Sequence, residues 1–394
     1  MTRDRGGRRI LLFVYWLGQG GMEQHTLHLA RAFAARGDQV TIGYVERVGD
    51  DDGLADEPFR IVDLHVPNPL HRYTSVRRLC GLARQADVIH CTGWDASAWG
   101  RLAAGAVRRP VIVTEHSSAT RTTQRYLGRF PIGRLVGLHN RLLDPVTYAM
   151  VAVAESQVEQ LRREGVAKHK IAVIPNGVEL EGIRAAAGKG LTREELGIPE
   201  EAKVVVQVGR FIVQKRQEWS YEAVRALRRE LGDVRLVLVG DGPERPALER
   251  RARAEGAEWV NFLGQRPDVA RLLRLSDLAV LPSTAEALPM AMLEALAVGV
   301  PQVATDVGDV GRVLRDSGAG LVVEPHDHGA FTEACRVVLV DHARAEAMRT
   351  AAGAAAEAFT LERMIAGYEE LFDGAVAARR RPRSAPRGRV RVRQ

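Results

Sequence analysis

Cysteine is nearly absent. Cys80, Cys91 and Cys335 are the only three among 394 residues, and no two form a CxxC pair. That excludes a disulfide framework, argues against a structural zinc and points to a reducing compartment. Long apolar runs are also missing: none approaches the ~20 residues that a membrane-spanning helix needs. The longest near the start, Ile10 to Leu17, has strand length and no small-residue cleavage site behind it, so no signal peptide is expected. The expected location is the cytoplasm. Lysine is scarce beside arginine, which reads as the codon usage of a GC-rich bacterial genome.

A strongly charged body is missing too. The formal net charge is +7, but Arg379, Arg380, Arg381, Arg383, Arg387, Arg389, Arg391 and Arg393 fall in the last sixteen residues. Without these eight charges the body stands at −1, so a nucleic-acid-binding fold is not indicated. The tail has Pro382, Pro386 and Gly388 and no aromatic residue, and it reads as a disordered arm. A solvated tail is the plainer reading, and weak attraction to an anionic lipid surface, with a peripheral place on the inner membrane face, is the alternative.

What is present is a chain of ordinary apolar content, 46%, and too long for one core, so two domains are expected. Apolar runs such as Ile10–Trp16, Val40–Val45, Ala86–His90 and Pro110–His116 alternate with stretches of helical spacing. Continuous apolar runs are typical of buried parallel strands. Gly18-Gln-Gly20-Gly21-Met-Glu23 lies between a strand and a helix, where glycines let a ligand approach a helix N-terminus. It is not a GxGxxG, although Glu46 keeps a dinucleotide reading as a minor alternative. Asp50 and Asp52 make an Asp-x-Asp in an acidic turn without a leading strand. A solvated loop explains them better than a metal site.

In open parallel sheets, ligands sit beyond the carboxyl ends of the strands. Glu115 and His116 end one strand and His90 ends another. A core hydrogen bond is the plainer explanation for His90 and an equal one for His116. The same α/β rhythm returns from Lys203 onward. A segment of small residues, Ala185 to Gly190, suits a linker.

The stretch around which the chain is organised is Ser283 to Pro301. The strand Leu278–Pro282 runs into it, Pro289 opens a helix to about Val298, and Gly299 and Pro301 stop it. Nearly all of the helix is apolar, so Glu294 in its middle needs hydrogen-bond donors. A vicinal diol such as a ribose supplies two. Glu286 lies just before the helix, and the free N–H groups of its first turn favour a phosphate.

Glu286-x7-Glu294 stands in order with Gly20-Gly21-Met22-Glu23, Pro175-Asn176-Gly177-Val178, Val208-Gly209-Arg210 plus Lys215, and Val239-Gly240-Asp241-Gly242. Phe262-Leu-Gly264, Pro282-Ser283 and Pro301 with Val303-Ala304-Thr305-Asp306 continue the order. Together they resemble the retaining glycosyltransferases of the GT4 type, glycosyl transferases group 1, over nearly the whole chain to about Phe372. One departure is Ala287-Leu288-Pro289 where the family has Gly-Phe-Gly.

The resemblance implies a GT-B fold: two Rossmann-like parallel-sheet α/β domains facing a deep cleft. Residues 1–186 would form the acceptor domain and 187–359 the donor domain. A C-terminal helix near 360–376 would cross back to the first domain, followed by the tail 379–394. It implies transfer of a hexose from a nucleotide-diphosphate sugar, UDP before GDP, to an acceptor hydroxyl with retention. The acceptor would be a natural product, a cell-envelope glycan or a lipid-linked glycan.

By the same resemblance Glu286 and His116 are catalytic and, with Pro289, meet the donor sugar. Arg210, Lys215, Gly20, Gly21, Leu288 and Met290 hold the diphosphate. Glu294, Arg266 and Gly264 hold the nucleoside. Arg210 and Lys215 with the helix dipole would stand in for a divalent metal, so neither metal nor cofactor is expected. Two readings compete: a nucleotide-sugar epimerase or hydrolase on the same fold, and an anionic-surface binder acting through the tail.

Overall fold

The computed structural model describes residues 7–18, 20–47, 54–65, 72–116, 132–188 and 190–380. The Asp50–Asp52 turn and the arginine tail beyond Arg380 lie outside the described residues. Two compact units result, Met1–Pro175 with Met364–Gln394, and Asn176–Arg363.

The first unit is built on nine strands: β1 (Arg9–Val14), β2 (Trp16–Leu17), β3 (Gln39–Tyr44), β4 (Glu46–Arg47), β5 (Arg60–Asp63), β6 (Val88–Thr92), β7 (Val111–Glu115), β8 (Thr147–Ala152) and β9 (Ile171–Val173). Seven of them form one parallel sheet in the order β5-β3-β1-β6-β7-β8-β9. β2 and β4 pair separately. The central strands are buried along their whole length, which is why they are continuous apolar runs and not alternating ones. The run Ile10–Trp16 is not one strand. It breaks at Tyr15, whose carbonyl accepts from Val45 and Glu46 N–H, and this pairs Trp16–Leu17 with the short β4.

The second unit carries β10 (Lys203–Val208), β11 (Val234–Val239), β12 (Val260–Gly264), β13 (Leu278–Leu281), β14 (Gln302–Thr305) and β15 (Gly320–Val323). They form a second parallel sheet in the order β12-β11-β10-β13-β14-β15. Each unit is thus a Rossmann-like layer of parallel strands covered by helices. Ala185–Ala187, expected in a linker, instead end the helix Leu180–Ala187. Alanine is the best helix former, so a run of small residues need not be flexible.

The last helix, Leu361–Arg380, begins in the second unit and packs on the first. Met364, Ile365, Tyr368, Leu371, Phe372 and Ala375 are all buried at helical spacing. Phe372 stacks on Phe33 with centroids 4.9 Å apart. Three ion pairs flank this face: Arg8 Nη1 to Asp373 at 2.8 Å, Arg379 Nη1 to Asp87 at 3.3 Å and Arg36 Nε to Glu369 at 3.8 Å. Gly367 and Gly374 let the helix lie close. A Cβ at Gly374 would sit 2.3 Å from the Tyr148 hydroxyl, and one at Gly367 would press on Ile174. No helix among the described residues is long and apolar enough to cross a membrane.

Candidate functional site

In the second unit the expected residues gather at the carboxyl ends of β10 to β13. β10 is followed by Gly209, with φ +151°, and then Arg210. Gly240, just after β11, packs so tightly that a Cβ there would lie 2.2 Å from the Gly209 carbonyl. Its N–H donates to the Gly264 carbonyl at the end of β12, at 2.7 Å. Three glycines therefore bring three strand ends together, and no larger residue fits at Gly240.

Arg210 is exposed and forms no ion pair among the described residues. Lys215 is largely covered, and its Nζ lies 2.6 Å from Glu286 Oε1. The pair is close but not aligned as a hydrogen bond, so Glu286 Oε1 keeps an unused acceptor direction. The loop that carries Lys215 is tied down from several sides. Gln207 Nε2 donates to the Lys215 carbonyl at 2.7 Å, and Thr284 N–H donates to the Gln214 carbonyl at 2.8 Å. Gln214 Nε2 also donates to the Ala285 carbonyl. These bonds set the spacing between the lysine and the glutamate.

The helix after Glu286 runs Met290–Val298, with Pro289 as its N-cap and not its first helical residue. No side chain caps it, so its leading N–H groups stay open to a ligand. Ala287 needs no positive φ. The close approach is provided from the other side by Gly308, where φ is +57° and a Cβ would meet the Glu286 carbonyl at 2.3 Å. Asp309 N–H donates to the Ala287 carbonyl at 2.9 Å. Asn176 Nδ2, within the Pro-Asn-Gly step, donates to the buried Leu288 carbonyl at 2.8 Å.

Glu294 lies one turn further along the same helix. Water reaches part of it, yet protein surrounds it, so it sits in a recess. That desolvation pushes its carboxyl up to about 7, and it has no hydrogen-bond partner among the described residues. Arg266 turns its guanidinium to Asp268, with Nε and Nη2 donating at 2.8 and 2.7 Å.

The remaining expected residues belong to the first unit. Gly20 is the N-cap of the helix Gly21–Ala35, and both glycines are exposed there. His116 directly follows β7. Its Nε2 is buried without a hydrogen-bond partner, and burial holds the imidazole down to about 4. His90 is a core residue, fully buried with its Nε2 2.8 Å from Thr114 Oγ1, and held down to about 3 by burial. Glu115 is buried as well, and burial raises its carboxyl to about 8.

Sequence reasoning missed His25, which contacts His116, and Thr114 and Tyr368, which join His25 and His90 to the end of β7, and it used Asn176 only as part of the Pro-Asn-Gly motif. Nothing local marks them, since each partner is distant in the chain. Among the described residues no group of three His, Cys, Asp or Glu is placed to hold a metal ion. What the second unit's arrangement offers chemically is two cations, an open helix N-terminus and two carboxylates within one short region. That set suits a diphosphate carrying hydroxylated groups at both ends.

Comparison with known proteins agrees with this chemistry. Residues 189–355 match the family model of glycosyl transferases group 1, and residues 19–181 match that of glycosyltransferase family 4. A D-inositol 3-phosphate glycosyltransferase of Xylanimonas cellulosilytica is 28% identical over 396 residues, covering 92% of this chain and 93% of that protein. An alpha-D-kanosaminyltransferase of Streptomyces kanamyceticus is 28% identical over 271 residues, covering 64% and 67%. Among solved structures, Anabaena HepE in complex with UDP and glucose superimposes with a TM-score of 0.81 at 19% identity, covering 93% of this chain and 99% of that one.

Proposed function

This chain belongs to the GT4-type glycosyltransferases, and on that premise we propose that it moves a hexosyl group from a UDP-sugar to an acceptor hydroxyl, with retention and without a metal. The observation that carries the reading is the pairing of Lys215 with Glu286 beside the uncapped helix at Met290.

Breaking the bond from the sugar to the diphosphate leaves growing negative charge on the phosphate oxygens. Lys215, Arg210 and the N–H groups of Leu288 and Met290 stabilise that charge where it appears. Because these cations do the work expected of a divalent ion, the reaction proceeds without one. Glu286, relieved of Lys215 by the incoming phosphate, accepts from a sugar hydroxyl and lies near the positive charge that grows on the ring. Glu294 accepts from the ribose diol. The backbone at Gly264 and Arg266 meets the base. Gly20 and Gly21 add N–H groups toward the phosphate, and His116 acts on the reacting sugar.

UDP is placed before GDP because HepE is held with UDP and glucose. The acceptor is a natural product or an envelope glycan. The test is turnover of a panel of UDP- and GDP-sugars against soluble acceptors, in EDTA, with the product's anomeric configuration read by NMR. Strict dependence on Mg²⁺ or Mn²⁺, or an inverted product, rejects the corresponding part of the proposal. Turnover to a 2-epimer without any acceptor rejects transferase action.

A further inference from the structure

Four aromatic rings in the first unit meet edge to face around the end of β7. His25 contacts His116 with centroids 4.8 Å apart and planes at 80°. Tyr368 contacts His25 at 5.3 Å and 72°, and His90 at 5.4 Å and 82°. The Tyr368 hydroxyl is pinned by Thr114 Oγ1 at 2.7 Å, and Thr114 Oγ1 is also 2.8 Å from His90 Nε2. Thr114 stands two residues before His116 on the same segment. The contacts therefore close a circuit: from Tyr368 to Thr114, along the backbone to His116, across to His25, and back to Tyr368.

The arrangement has a physical reason. The outer torsion of a histidine is broad and roughly two-fold, so the backbone alone does not fix the plane of an imidazole. His116 Nε2 makes no hydrogen bond that would fix it either. What sets the plane is packing against His25. His25 is fully enclosed and rests on Tyr368, which is itself fully buried and anchored at its hydroxyl by Thr114.

We infer that His25 and Tyr368 are positioning residues that set the plane of the His116 imidazole for the transfer step. Tyr368 is supplied by the C-terminal helix. This rests on the reading that His116 acts on the reacting sugar. The two residues touch no substrate. Their effect falls on turnover and not on donor binding, whose charged groups, Arg210, Lys215, Glu286 and Glu294, belong to the second unit.

The test compares ring-keeping with ring-deleting variants of the full chain. His25→Ala and Tyr368→Leu should lower kcat by about 10- to 100-fold, the scale of a misplaced reacting group, with the donor KM little changed. His25→Phe, which keeps an edge-to-face ring, should recover most of the loss. Should Tyr368→Leu fail to fold, the comparison of His25→Ala with His25→Phe carries the test alone.

The His116 ring signal in ¹³C-histidine-labelled protein gives a second readout independent of turnover. It should shift in His25→Ala and in Tyr368→Phe. An unmoved His116 signal with unchanged kcat overturns the inference. Equal losses in His25→Ala and His25→Phe also overturn it, because a ring contact would then be irrelevant. A shifted signal with unchanged kcat shows that the contact exists but that His116 takes no part in the reaction, and so rejects the role of His116 instead.

Discussion

Glu286 and Lys215 neutralise each other in the free protein, 2.6 Å apart and mostly covered. Any diphosphate that takes the lysine must first displace the glutamate. Glu286→Gln should therefore lower turnover while tightening the free nucleoside diphosphate about 2- to 5-fold, the worth of one partly exposed ion pair. Titration calorimetry checks it; weaker diphosphate binding in the variant would show that the pair does not compete with the ligand. Glu294 is held near 7 by its recess, and only its carboxylate form accepts both hydroxyls of a diol. Nucleotide binding should strengthen as pH rises through about 7 and release a proton. Glu294→Ala should cost about 1.5–3 kcal/mol of that binding and remove its pH dependence. Glu286 and Glu294 stood out in the sequence because they flank one helix start within a short segment, and Lys215 stood out through its place in the family resemblance. His25, Tyr368 and Asn176 were not, because each acquires its meaning from a partner far along the chain.

The element that shapes the cation site is the loop between β10 and the helix Gln217–Leu231. It ends at Arg216, which is left-handed with φ +46° and ψ +52° although it is not glycine. That geometry costs on the order of 1–3 kcal/mol. Two contacts offset it: the guanidinium lies 4.4 Å over the Trp219 ring, worth about 0.5–1 kcal/mol, and donates to the Pro325 carbonyl at 2.6 Å, worth about 1 kcal/mol. Arg216→Gly removes both the strain and the contacts and should leave stability nearly unchanged. Arg216→Ala keeps the strain, loses the contacts and should cost about 1–2 kcal/mol. Urea denaturation separates the two, and equal costs would show that the strain is not real. The strands and the helix Gln217–Leu231 were plain in the sequence, since buried parallel strands and amphipathic helices each have their own period. The pairing of Trp16–Leu17 with Glu46–Arg47 was not, because two-residue strands follow from their neighbours and not from their own composition.

At the scale of the whole molecule, the first unit should have a pH optimum of stability. His90, His116 and His139 are held by burial at about 3, 4 and 4, below the usual 6.5. From there up to 6.5 the unfolded chain binds protons that the folded one refuses, so stability rises with pH. Glu115 acts in the opposite sense: held at about 8 against 4.5, it keeps a proton that the unfolded chain has lost, so stability falls across that range. Three groups outweigh one below 6.5, and Glu115 acts alone above it. The melting temperature should peak near pH 6.5, and Glu115→Gln should flatten the alkaline side and steepen the acid side between pH 4.5 and 6.5. A parent protein whose melting temperature stays level from pH 6.5 to 8 would contradict the buried acid.

The return of the last helix also bears on how the chain is made. Residues up to Pro175 leave the ribosome first, yet Phe33 and the ends of β6 and β7 are not covered until Tyr368 and Phe372 emerge. At about 5–20 residues per second that is a wait of about 10–40 s. The second unit, Asn176–Arg363, is fully synthesised within the interval and need not wait at all. The half translated first is thus the half that matures last, and its open seam is where a nascent-chain chaperone would find apolar surface to hold.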